Sequence, residues 1–232
     1  MTTATAPIAA PAKARTARKS TKLQGLQVFM ENKLAVFGVC MLLILLAFSF
    51  IGPMFYVTDQ VHTDLMNSAL PPSSEHPLGT DMVGYDQLGR LMKGGQTSII
   101  VGLFAGIFAT TIGTLYGAIA GFVGGWIDAI MMRIVDALMS VPVLFLFMLI
   151  ATMIPPTVPV LIIIMSALSW LGTYRLIRGE ALSMRTREYV VAMRGMGGSM
   201  PRAIQTHIVR YTIGTVIVNA TFQVADAVLY VA

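Results

Sequence analysis

The sequence predicts an all-α, polytopic membrane protein with about five transmembrane helices. Of the 232 residues, 56% are hydrophobic and 12% are charged, and this balance is more apolar and less charged than that of soluble domains. The apolar residues are gathered into separate runs that are long enough for helices to cross the hydrocarbon layer. Lys and Arg are concentrated between alternate runs, as expected of a chain that crosses a bilayer several times.

Residues 1–33 are predicted to form a disordered basic tail, because they contain six Lys and Arg against the single acidic residue Glu31 and cannot build a core. A transit peptide or a secretory signal has a similar start, but no A-x-A cleavage pattern ends the apolar run that follows.

That run, residues 34–51, is uncharged and would be about 27 Å long as a helix, which predicts the first transmembrane span. It holds Cys40, and one cysteine builds neither a disulfide nor a cysteine metal site within one chain.

Residues 52–97 are predicted to be a polar loop, since four prolines argue against a long helix there. Residues 98–232 then form the transmembrane core. Within it, the apolar runs predict further spans at 98–122, 127–154, 160–174 and 211–232, with a break at "PPTVP" (155–159). Trp170 and Tyr174 are placed like the aromatic anchors of a lipid–water interface.

The distribution of cations predicts the orientation of the chain. With a cytoplasmic amino terminus, the inside segments 1–33, 122–133 and 173–210 hold six, one and seven Lys and Arg, whereas the outside loop 52–97 holds two. This is a strong positive-inside bias. It predicts a multi-pass protein of the cell (inner) membrane, and it explains the net charge of +5 without a nucleic-acid partner.

Residues 188–210, "EYVVAMRGMGGSMPRAIQTHIVR", predict a basic helix, a double glycine and a second helix opened by Ser199 and Pro201. Such a pair could lie on anionic lipid, bind DNA as a helix-turn-helix, or dock into a groove of a soluble partner and transmit its movement. DNA binding is the weakest of these interpretations, because both ends of the segment run into membrane spans within a few residues.

The same residues resemble the EAA loop of ABC-transporter permeases, a cytoplasmic loop that inserts a coupling helix into an ATPase subunit. The resemblance covers an EAA-like loop at 183–210. Ala192 and the loop glycine match the motif, while the other two E-A-A positions differ from it. Coupling to the ATPase is implied for Val191, Ala192, Met193, Arg194, Gly197 and Gly198.

Residues 76–103, "HPLGTDMVGYDQLGRLMKGGQTSIIVGL", are similar to a signature of the dipeptide/oligopeptide/nickel permease subfamily, and residues 124–142 are similar to its third span. The resemblance extends over about 30–226 and is greatest to the second-permease, C-subunit-like type. It implies that the loop meets a binding protein, and the signature residues are His76, Gly79, Thr80, Asp81, Gly84, Asp86 and Arg90.

The resemblance implies a permease subunit of an ABC importer, for dipeptides or oligopeptides. Its partners would be the lipid bilayer, a second permease subunit, two ATP-binding subunits and an extracytoplasmic peptide-binding protein. No cofactor and no enzyme activity are expected in this chain, because it lacks a G-x-x-x-x-G-K-[ST] phosphate loop, so ATP and Mg would be bound by the partner ATPases.

The alternatives are a membrane scaffold or receptor without transport, or an importer subunit for nickel or another small solute. Members of this family are expected to have six spans, so we also expect this chain to be C-terminally truncated.

Other residues suggest packing or a pathway. Gly113, Gly117 and Gly121 recur every fourth residue and predict close helix packing, with a moving contact in the pathway as the alternative. Asp226 would lie deep in the bilayer, where it either lines a pathway or joins interhelical hydrogen bonds with Asn219 or Gln223. Arg133 and Asp136 are spaced to pair with each other. The histidines and carboxylates of the loop match no metal-ligand spacing, so no metal site is predicted.

Overall fold

The computed structural model describes residues 27–60, 62–197 and 209–231, and those residues are almost entirely helical. The part of the chain so described has no strand, only an isolated bridge between Thr80 and Asp86, and the predicted all-α class is confirmed. The helices are α1 Lys33–Phe50, α2 Gly52–Phe55, α3 Gln87–Val123, α4 Gly125–Met139, α5 Val143–Met153, α6 Val158–Arg185, α7 Glu188–Gly195 and α8 Val209–Val231.

The helices that could span a membrane number four or five. Helices α3, α6 and α8, and α1 taken with α2, are each long and apolar enough, and the bent pair α4–α5 would be the fifth. The prediction of about five spans is therefore confirmed. The chain divides into two compact units, of which the first ends at Ala47 and the second begins at Phe48. α1, most of which belongs to the first unit, is apolar on all its faces, as expected of a helix surrounded by lipid.

Three of the predicted boundaries were wrong. α3 begins at Gln87 instead of residue 98, because the carboxylate of Asp86 accepts a hydrogen bond from the backbone N–H of Gly89 (2.7 Å) and caps the helix. The run 127–154 is two helices whose axes bend by 68°, since Pro142 has no N–H to continue the first helix. α6 extends to Arg185, well past residue 174.

The core of the second unit lies where α3 packs against α6 and α8. The glycines of α3 allow this approach: a Cβ on Gly102 or Gly106 would meet both side-chain and backbone atoms of Val224 and Val228 on α8. Farther along α3, Gly113, Gly117 and Gly121 lie against the backbone of α6. Because the three helices are in backbone contact, α3 is the central element of the unit.

Candidate functional site

The loop before α3 is shaped by glycines of the subfamily signature. Gly79 has φ +76° and Gly84 has φ +88°, backbone conformations that residues with a Cβ rarely adopt. A Cβ on Gly79 would lie 2.5 Å from the carbonyl oxygen of Leu70, and one on Gly84 would overlap the carbonyl oxygen of Asp64. Both glycines therefore permit close crossings of the chain within the loop.

Two further signature residues hold the loop together by hydrogen bonds. The Thr80 hydroxyl accepts from the Leu70 N–H (2.8 Å) and donates to the carbonyl of Asn67 (2.5 Å). The Asp81 carboxylate accepts from two backbone N–H groups of the following turn and pairs with Arg90 on α3. Burial raises the pKa of Asp81, but the two backbone hydrogen bonds and Arg90 outweigh it, and the pKa falls below its usual value.

The Asp86 side chain joins the loop to α3 by hydrogen bonds to both. Its side chain is 3% exposed and accepts from the Tyr56 hydroxyl (2.7 Å), from Nδ1 of His76 (2.9 Å) and from the Gly89 N–H (2.7 Å). Burial raises the pKa of Asp86, yet these hydrogen bonds together lower it below its usual value. Burial and the adjacent carboxylate raise the pKa of Tyr56 to about 12. The signature residues thus fold the loop onto the first turn of α3.

Acidification is expected to weaken this loop. A carboxyl whose pKa is lower in the folded state stabilises the fold above its unfolded pKa, about 3.9 for Asp, and this contribution is lost as the pH falls through the folded pKa. Asp86→Asn keeps an acceptor for the cap but removes the charge. We therefore expect it to lower the free energy of unfolding by about 1 kcal/mol at pH 7, and to matter less at about pH 3, because that pH lies below the pKa of the unfolded carboxyl and part of the stabilisation by its charge is already lost.

The measurement is thermal unfolding of the purified chain in detergent at both pH values. Glu75→Gln is the control, because Glu75 is an exposed carboxylate of the same loop and exposed charges contribute at most about 1 kcal/mol. Equal destabilisation by Asp86→Asn at both pH values would contradict the role given to its charge.

Helix α7 carries the EAA-like residues and packs against the bundle mainly through Val190. Val190 is fully buried and packs with Ala118 and Phe122 of α3 and with α6, while Met193 packs partly against the same cluster. Val191 and Ala192 are exposed, as is Met196 just after the helix. α7 therefore has one face on the bundle and one apolar face open.

The turn after α7 depends on Gly197, which has φ +81° and no atom within 4 Å of an added Cβ. Among the predicted coupling residues, Arg194 belongs to α7, but its side chain lies outside the described residues, as do Gly198 and the rest of 198–208. The structure thus brings together Val191, Ala192, Met193 and Gly197 and leaves the second half of the segment undescribed.

Polar side chains connect α6 and α8 midway along the bundle. The Thr173 hydroxyl donates to Oδ1 of Asn219 (2.6 Å), and Nε2 of Gln223 donates to the Ser169 carbonyl (2.8 Å) and to Thr173 Oγ1 (3.1 Å). Asp226, one turn farther along α8, is exposed and lines an open pocket. Interhelical hydrogen bonding was one of the two roles considered for Asp226. Asn219 and Gln223 form such hydrogen bonds with Thr173 and Ser169 of α6.

Two ion pairs join α4 to α6. Nε and Nη2 of Arg178 donate to the two carboxylate oxygens of Asp128 at 2.5 and 2.6 Å, and Arg175 contacts Asp136 at 2.5 Å. The prediction that Asp136 pairs with Arg133 was wrong. Helical spacing could indicate only a partner on the same helix, whereas the actual partner lies 39 residues away.

Trp170 and Tyr174, which the sequence suggested were interfacial, form an aromatic cluster with Tyr116. The ring centroids of Tyr116, Trp170 and Tyr174 are 4.9–6.3 Å apart, in edge-to-face arrangements. Tyr174 is fully buried, so the assignment of Tyr174 as a lipid–water anchor was wrong. No three His, Cys, Asp or Glu side chains among the described residues converge as metal ligands.

Comparison with known proteins identifies the family. Residues 113–232 match the model for the inner membrane component of binding-protein-dependent transport systems, and residues 24–72 match that for the N-terminal transmembrane domain of oligopeptide transport permease C.

Three relatives show how far the similarity extends. The chain is 34% identical over 200 residues to the oligopeptide transport system permease protein OppC of Bacillus subtilis, covering 86% of this chain and 66% of the relative. It is 35% identical over 198 residues to the dipeptide transport system permease protein DppC of that species, covering 85% of this chain and 62% of DppC. It is 39% identical over 204 residues to OppC of Salmonella typhimurium, covering 87% of this chain and 68% of that protein. The chain therefore belongs to the family of inner membrane components of binding-protein-dependent transport systems.

Proposed function

We propose that the chain is the transmembrane permease subunit of an ABC importer for dipeptides or oligopeptides. It forms the translocation path with a second permease subunit, and two ATP-binding subunits supply the energy by binding ATP with Mg and hydrolysing it. An extracytoplasmic peptide-binding protein delivers the substrate. The names of the relatives, which are oligopeptide and dipeptide permeases, support this assignment, as does the open apolar face of α7.

One observation carries the proposal: the signature loop and α7 lie at opposite ends of α3. The loop is bound to the first turn of α3 through Asp86, and α7 is bound near the last turn, next to Phe122, through Val190. α3 has 37 residues and is about 55 Å long, which exceeds the thickness of the hydrocarbon layer, about 30 Å. A binding protein and an ATPase can therefore contact this chain from opposite sides of a membrane.

The cations support the choice of sides. The last turns of α6 and the turn before α7 hold Arg175, Arg178, Arg185 and Arg187 toward the end of the bundle where α7 lies, and the positive-inside rule makes that end cytoplasmic. The amino terminus is then cytoplasmic as well, because α1 crosses once before the loop.

Coupling follows from the two faces of α7. An ATPase that contacts the exposed Val191 and Met196 would displace α7, and the buried Val190 would pass that displacement to α3 and α6, since it contacts both. Rigid helices in backbone contact move as units, so access would alternate between the two sides of the bundle.

Gly197→Ala is expected to reduce ATP-dependent uptake of a labelled dipeptide by about fivefold or more, because a left-handed conformation costs a residue with a Cβ about 1–2 kcal/mol. The measurement uses the complete transporter in proteoliposomes. Gly195→Ala is the matched control: an added Cβ there also meets no atom within 4 Å, and Gly195 ends α7 without a positive φ.

Insertion and assembly should be unchanged in both variants. Equal activity of the two variants would contradict the role of the Gly197 turn in coupling. If the wild-type assembly shows no ATP-dependent uptake of peptide, the importer assignment is wrong, and a scaffold or receptor is favoured.

A further inference from the structure

A pocket of about 290 Å³ opens where the break between α4 and α5 lies beside α6 and α8. Gln223, Asp226 and Tyr230 reach it from one face of α8, because they are spaced i, i+3 and i+7. The rest of its lining is mostly apolar and comes from the break and from α6, including Met139, Val141, Pro142, Leu168 and Leu171. The pocket thus combines apolar walls with one polar stripe.

The amide and carboxylate of this stripe offer acceptor atoms. Gln223 uses both N–H groups of its amide, toward the carbonyl of Ser169 and the hydroxyl of Thr173. The Ser169 carbonyl can only accept, which fixes the orientation of the amide and leaves its oxygen for a ligand. Asp226 adds two acceptor oxygens and a negative charge, and it forms no ion pair with any side chain in the described ranges.

The end of α4 supplies a second, independent preference for a cation. α4 ends at Met139, which lines the pocket. The helical partner of the Leu138 carbonyl would be the N–H of residue 142, and Pro142 has none. Carbonyl groups at the end of a helix carry the negative end of the helix dipole and attract positive charge.

We propose that this pocket binds a primary ammonium group carried beside an apolar side chain, which is the chemistry of a peptide's amino terminus or of a lysine side chain. The inference rests on the proposed function, since it assigns part of the peptide to this subunit. A carboxylate on a helix that could span a membrane is costly unless water or a cation meets it. The ammonium group binds Asp226 and the Gln223 oxygen, and the apolar walls receive the neighbouring side chain.

Asp226→Asn and Asp226→Glu in the complete transporter test the proposal, with the peptide-binding protein kept constant so that any change arises in the permease. We expect Asp226→Asn to reduce initial uptake of a free-amino dipeptide about tenfold, and to reduce the preference for that dipeptide over its N-acetylated form. Asp226→Glu should retain most of both. Thr221→Val, which removes a hydroxyl from another face of α8, should leave uptake unchanged.

An N-acetylated peptide containing lysine distinguishes the two sources of the ammonium group. If Asp226→Asn also slows its uptake, the pocket accepts a lysine side chain. If only peptides with a free amino terminus are affected, the pocket binds the amino terminus.

Two results would overturn the inference and leave the proposed function intact. The first is wild-type uptake and preference in Asp226→Asn. The second is failure of that variant to co-purify with the other subunits, which would show that Asp226 holds the assembly together. Absence of uptake by the wild-type transporter would instead overturn the proposed function, and the inference with it.

Discussion

Gly117→Ala is expected to lower the free energy of unfolding of the chain by about 1–3 kcal/mol. The added Cβ would lie 2.7 Å from the carbonyl oxygen of Tyr174 and 3.0 Å from the backbone N of Arg178. Both are backbone atoms of α6, so no side chain can rotate away and the two helices must separate. That separation also weakens the neighbouring contact at Gly113, where a Cβ would lie 2.6 Å from the Trp170 carbonyl oxygen.

The measurement is the thermal unfolding midpoint of the purified chain in detergent, with Gly94→Ala as the control on the same helix. An added Cβ at Gly94 meets no atom within 4 Å. That change should be neutral, or stabilising by up to about 1 kcal/mol, because Ala favours the helix over Gly. Equal midpoints for the two variants would show that α3 and α6 are not in close backbone contact at Gly117.

The spacing of the α3 glycines contained information about packing, but not about the partner. Glycines four residues apart indicate a face where another helix approaches closely, and the five glycines from Gly102 to Gly121 do lie on contacts with other helices. The change of partner from α8 to α6 along this face depends on how the helices cross, which periodicity does not encode. The family signature likewise indicated a loop, but not that Asp86 would cap α3.

The pairing of charges was beyond sequence reasoning for a similar reason. Asp128 and Arg178 are separated by 50 residues, and only the packing of α4 beside α6 brings them together. The break at Pro142 was foreseeable, because proline interrupts helical hydrogen bonding, yet the apolar run continued across it and suggested one span. The pocket at that break was not predictable, because it depends on the 68° bend.

The two ion pairs between α4 and α6 should differ sharply in what they contribute to stability. Asp128 and Arg178 are 11% and 23% exposed, whereas Asp136 and Arg175 are 36% and 44% exposed. Removing one partner of a buried pair leaves an uncompensated charge in a region of low dielectric constant. An exposed charge is solvated instead, and its loss has little effect.

Asp128→Ala is therefore expected to lower the free energy of unfolding by about 3–5 kcal/mol, and Asp136→Ala by no more than about 1 kcal/mol. Asp128 also lies in the first turn of α4, where a carboxylate interacts favourably with the helix dipole, so its loss destabilises both the pair and the helix. Unfolding in detergent measures both variants. The double variant Asp128→Leu with Arg178→Met should regain most of the loss, because no unpaired charge remains buried. A double variant as unstable as Asp128→Ala alone would mean that the carboxylate acts through α4 itself and not through Arg178.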